Sequence, residues 1–110
     1  QVGEDNDREL VELVLPGLEK PYGGWSMAPV ASSLKAAGFA VEKQDEAFTP
    51  LRFFDTGALV WFARIIEWEF PDFSVDGNLD RLLQAQNLLN ESGMIEGSIH
   101  RFLLVARKCD

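Results

Sequence analysis

A mixed α/β fold, or α+β for the chain taken by itself, is the class this sequence predicts, and three stretches predict it. "SSLKAAGFAVEK", Ser32 to Lys43, closes a short helix at Gly38 and begins an apolar-alternating run at once. "GALVWFARIIEW", Gly57 to Trp68, is apolar nearly all round at helical length. "FLLVA", Phe102 to Ala106, is continuously apolar, as expected of a strand buried on both faces. A helix that turns directly into a strand is typical of a sheet covered by helices.

Taken in order, "DREL VELVLPG" begins with Asp7 as a cap, and Leu10, Val11, Val14 and Leu15 are spaced to bury one side of a helix. Pro16 and Gly17 stop it, and "LEKPYGG" reads as a loop. Ser26 caps a second helix, with Pro29 in the first turn, where its missing N–H costs little. Met27, Val30, Ala31 and Leu34 form its stripe, and Gly38 supplies the left-handed residue that ends it. Phe39 and Val41 then alternate with Ala40 and Glu42, which predicts a strand to about Asp45.

Residues 46–54, "EAFTPLRFF", read as an oily connection. Asp55 or Thr56 caps the all-round apolar helix, which predicts burial on more than one side. After the aromatic loop "EFPDFSVDG", Asp76 or Asn78 starts a helix with Leu79, Leu82, Leu83 and Leu89 on one face, ended by Gly93. Met94–Gly97 and Arg101–Arg107 read as two final strands. The predicted order is helix, helix, strand, helix, helix, strand, strand.

Composition narrows the function. At 110 residues the chain suffices for one domain with a real core, so residues 1–110 are read as a single domain. The net charge of −8 disfavours a nucleic-acid partner, because phosphate binding wants clustered Lys and Arg and these are scattered. No run approaches the roughly 20 apolar residues that cross a bilayer, which predicts no membrane partner. One cysteine, Cys109, cannot form an internal disulfide, so a cytoplasmic location is expected. One His and one Cys give no metal-ligand spacing. Gln1 is not a translation start, so the chain is expected to be a processed or trimmed piece.

With these elements placed, the chain resembles the C-terminal half of a class I S-adenosylmethionine-dependent methyltransferase. "QVG" followed by Asn6 is similar to the exit from the fifth strand, and "SLKAAGFAV" to the last helix and sixth strand. "PLRFFDTGALVWFARIIEWEFPDFSV" resembles the helical insertion of one bacterial branch, and "HRFLLVARK" the antiparallel seventh strand. The resemblance implies the end of a Rossmann-like sheet, with residues 46–93 as a helical cover inserted between the last strands. It implies S-adenosylmethionine as cofactor of the full-length protein, held by an N-terminal half of the same polypeptide, and a methyl acceptor of unknown identity. The family's glycine-rich turn lets the backbone approach the cofactor. None of the nine glycines here lies in such a run, so this piece alone is expected neither to bind the cofactor nor to be active.

The residues expected to contact the acceptor are Arg52, Phe54, Asp55 and Trp61, with Asn6 beside the presumed fifth strand. Arg52 and Asp55 equally fit a helix start with an i,i+3 ion pair, and the aromatic residues, Trp68 and Phe70 among them, equally fit a core. His100, the sole histidine, is a weak candidate base with no partner evident in the sequence; a hydrogen-bonded structural histidine fits it better. The rival class is a free-standing acidic α+β module that binds a protein partner or a small apolar ligand through its surplus of apolar surface.

Overall fold

A computed structural model describes residues 1–109, and it is mixed α+β: α1 (Arg8–Val14), α2 (Met27–Ala36), β1 (Phe39–Phe53), α3 (Thr56–Ile65), α4 (Leu79–Ser92) and β2 (Ile95–Lys108). The two strands form an antiparallel pair. The described residues divide into two compact units, one of residues 1–6, 20–49 and 99–109, the other of residues 7–19 and 50–98.

In the first unit α2 runs into β1 through the predicted joint, with Gly38 at φ +92°. The Ser26 side chain makes no cap bond; the Glu46 carboxylate accepts from the Met27 N–H at 3.2 Å in its place. Residues 1–3 pair with β2. Gln1 and Phe102 exchange backbone hydrogen bonds of 2.8 and 2.9 Å, the Gly3 N–H donates to the His100 carbonyl, and Val2 bridges Arg101 antiparallel. Since β1 occupies the other edge of β2, the leading segment and β1 flank β2 and run parallel to each other. The interior of this unit is Ala31, Phe102 and His100. Trp25 sets its ring edge to Phe102 at 6.1 Å between centroids.

In the second unit Leu10, Val11 and Val14 of α1, Leu59 and Ala63 of α3, Leu82, Ala85 and Leu89 of α4, and Phe53, Phe70 and Ile95 make one apolar core. Asp55 caps α3, its carboxylate accepting from the Ala58 N–H at 2.7 Å, and Gly93 ends α4 in the left-handed region. Asn78 is the residue before α4, and its side chain donates to the Val14 carbonyl and accepts from Ser74 N–H. Asp7 precedes α1 as predicted, but it is buried at φ 56° and its side chain makes no cap bond.

Several sequence expectations are corrected. Residues 46–53 are not connection or helical cover: β1 continues through them to Phe53. The alternation is missing there because most of those side chains are exposed, so pairing with β2 dictates the strand rather than burial. Pro50 is tolerated because an edge strand bonds on one side only. The two final strands are one, since Gly97 does not break β2. A Cβ at Gly97 would lie 2.7 Å from Leu10 Cγ, so the glycine marks the place where α1 presses on the strand. "FLLVA" is not buried on both faces: Phe102 is buried while Leu103 and Val105 are exposed. On α4, Leu79 and Leu83 are exposed and Ala85 takes their place in the core. On α3, only Leu59 and Ala63 are buried, leaving Trp61 and Ile65 outside.

Two substitutions test this account in the second unit. Gly97→Ala should destabilise by about 1–3 kcal/mol through overpacking against Leu10, and Asp55→Ala by about 1 kcal/mol through loss of the cap. Urea midpoints check both; an unchanged midpoint for Gly97→Ala would show that α1 yields freely.

Candidate functional site

The densest polar constellation is built around His100, 1% exposed, on β2 in the first unit. Every polar atom of this residue has a partner. Its N–H donates to Asn6 Oδ1 at 2.9 Å and its carbonyl accepts from Gly3 N–H at 2.9 Å. Its Nδ1 lies 3.1 Å from the Asp5 backbone N, and its Nε2 lies 2.9 Å from Glu46 Oε2. A backbone amide can only donate, so Nδ1 must accept, and the neutral ring carries its proton on Nε2, pointed at the Glu46 carboxylate. Phe48 stacks on the imidazole at 4.2 Å with 17° between planes. Gly3 covers the ring closely, and a Cβ there would stand 2.2 Å from it.

The surroundings are charged. The hydrogen bond from His100, with the Met27 amide second, holds the Glu46 carboxyl below its ordinary 4.5. Lys20 pairs with Asp5 at 2.6 Å and Glu4 at 3.1 Å, and these bonds, Asp5 first, raise its amine above the usual lysine value. Glu4 also accepts from the Gly24 N–H. The Arg101 guanidinium donates to Asn6 Oδ1 at 2.6 Å.

Asn6 and His100 are therefore brought together, and His100 is a buried, hydrogen-bonded histidine whose ring partner was not evident in the sequence. That partner, Glu46, lies 54 positions away in a stretch read as connection. The only local signal was a lone carboxylate in an oily run. The arrangement suits holding the Gly3–Asn6 turn in place. It leaves neither ring nitrogen with a free lone pair for a base.

The other four predicted residues belong to the second unit. Arg52 does not pair with Asp55: its Nε donates to Glu96 across the strands at 2.8 Å, while Asp55 is committed to the α3 cap. Phe54 and Trp61 are 70% and 66% exposed, so neither is core. An open hollow of about 310 Å³ in this unit is lined by Ala63, Arg64, Glu67, Phe70, Asp72 and Phe73, none of them among the predicted four. Among the described residues no cluster of three or more His, Cys, Asp or Glu side chains is placed to hold a metal, and no helix is long and apolar enough to cross a membrane. Cys109 is exposed and free.

The residues also bear on a nucleotide cofactor. At the turn from residues 1–3 toward α1, the one glycine, Gly3, is filled against by the His100 ring. The turn from β1 into α3 runs Phe54, Asp55, Thr56, and Gly57 lies already inside the helix. Neither offers the glycine cradle that S-adenosylmethionine requires. No family model matches the chain, and no curated protein matches it.

Glu46→Ala should cost about 1–3 kcal/mol, because the buried Nε2–H of His100 loses its acceptor. The pH dependence follows from the sign: a carboxyl lowered on folding stabilises above its unfolded pKa, and that contribution is lost as pH falls through the lowered value. Urea midpoints of the parent should therefore fall as pH drops below about 4.5 more steeply than those of Glu46→Gln. Parallel curves would remove Glu46 from the acid response.

Proposed function

We propose that the chain is the C-terminal, acceptor-side portion of a class I S-adenosylmethionine-dependent methyltransferase, and that an N-terminal half of the same polypeptide holds the cofactor. The observation that carries this reading is the placement of β2 between residues 1–3 and β1, antiparallel to both. A sheet in which one antiparallel strand lies among parallel ones is a common form of the large doubly wound sheets. The resemblance assigns these three segments to the fifth, seventh and sixth strands, with the seventh antiparallel.

In this reading the share of the chain in the chemistry is positioning. Aromatic walls suit flat or apolar acceptors, and Phe54 and Trp61 present exposed rings in the second unit. Arg52 and Asp55 are engaged in structural bonds, so they shape the neighbourhood of Phe54 rather than touch an acceptor. Holding acceptor and methyl donor in line is worth several kcal/mol of barrier.

A second reading has its own observation. Phe54, Trp61, Ile65 and Trp68 are all more than half exposed, and apolar surface of that kind also marks a protein interface. The chain would then be a free-standing acidic α+β module.

The two readings separate on the complete coding frame. Its product should bind S-adenosylmethionine by calorimetry and transfer its labelled methyl group, whereas the 110-residue chain alone binds none. Trp61→Ala in that product should raise the acceptor KM about tenfold, the loss of roughly 1–2 kcal/mol of apolar contact, and leave cofactor affinity unchanged. A complete frame that encodes no cofactor-binding half, or binds no S-adenosylmethionine, would sink the methyltransferase reading and leave the module.

A further inference from the structure

We infer that His100 is an acid-sensitive latch: adding a second proton to its ring detaches the Glu4–Asn6 turn from β2. The inference is independent of the methyltransferase reading and rests on the two faces of one imidazole. In the neutral ring Nδ1 is an acceptor, occupied by the Asp5 N–H, and Nε2–H is a donor, occupied by Glu46. The next proton can enter only at Nδ1. There it meets the Asp5 N–H across 3.1 Å, so an accepted hydrogen bond becomes two donors facing each other. The ring cannot turn away. Phe48 lies flat on it, Gly3 has no room even for a methyl group against it, and a flip would strip Glu46 of its donor.

The turn must move instead, and its make-up allows that. Glu4 is held on the side away from β2, its N–H on the Trp25 carbonyl at 2.7 Å and its carboxylate on Lys20 and the Gly24 amide, whereas the Asp5 amide is the point at which the turn touches the buried ring. Of the charged groups around the ring, Glu46 on β1 bonds it directly, while Lys20 is paired with the Asp5 and Glu4 carboxylates and Arg101 with Asn6. The leading segment keeps its backbone bonds to Phe102 and His100, and the Asp7 N–H keeps its bond to the Ser98 carbonyl, so the motion is confined to residues 4–6 and centres on the Asp5 amide.

One histidine in the chain makes the test direct, since the imidazole Cε1–H resonance reports His100 alone. On the 110-residue chain, a pH series should show the protection factor of the Asp5 amide falling roughly tenfold to a hundredfold with the same midpoint as the His100 resonance, while core amides such as Leu59 and Leu82 hold theirs. The variant His100→Gln places an amide oxygen toward Asp5 and an amide N–H toward Glu46 without titrating, and it should keep Asp5 protected through that range. An Asp5 amide that stays protected while His100 titrates would overturn the latch. So would a loss of protection at the same pH in His100→Gln. Should that variant not fold, the parent series alone decides between the two outcomes.

Discussion

A buried imidazole cannot leave its polar atoms unanswered, and in the first unit that requirement sets the position of nearly everything else. His100 needs a donor at Nδ1, an acceptor at Nε2 and partners for its backbone, and three separate segments answer: Gly3–Asn6 from the leading turn, Glu46 from β1 and, through the shared Glu46 oxygen, the first amide of α2. A buried donor without a partner costs about 1–3 kcal/mol, against a total stability of about 5–15 kcal/mol for a domain. Losing two of these bonds would consume a large share of that margin. The network therefore fixes the register of β1 on β2 at one point, which a run of exposed, charged strand residues could not do. Pairing alone specifies register weakly when neither face is buried.

The second unit solves the same problem by apolar burial. Leu10 at the centre of α1 presses against Gly97, and only a residue without a side chain lets helix and strand approach so closely. Polar groups there cap and fasten: Asp55 holds α3, Arg81 donates to the Leu13 carbonyl at the end of α1, and Thr56 donates to Gln86 of α4 at 2.7 Å. Glu9 receives both the amide and the hydroxyl of Ser98, each at 2.8 Å. Of these, the Asp55 and Arg81 bonds satisfy helix-end backbone groups that have no internal partner.

What could be read from the sequence was local. The four helices, the Gly38 and Gly93 terminations and the Asp55 cap all depend on residues within a turn or two, and each stands close to where the spacing put it. What could not be read depends on distant partners. The length of β1 beyond Asp45 has no hydrophobic signature because its side chains are exposed, and only β2, some fifty residues on, makes it a strand. Residues 98–100, between the two predicted final strands, carry no strand signal of their own, and β2 runs through them. Of the candidate site, Asn6 and His100 could be named but not joined. Glu46, the carboxylate that answers the His100 ring, was hidden in a stretch whose other residues suggested a linker.

Two antiparallel strands by themselves are marginal in water, and a third strand or a covering helix is needed for independent stability. In the first unit the third strand is the short segment of residues 1–3, and the helix is α2. That makes the leading segment disproportionately important. Its few backbone bonds complete the sheet, and its turn covers the one buried titratable ring. Leu103 and Val105 on β2 remain exposed even so. In the methyltransferase reading these side chains, which project from the faces of the strand, would be covered by elements packed on the sheet; in the module reading they are surface for a partner.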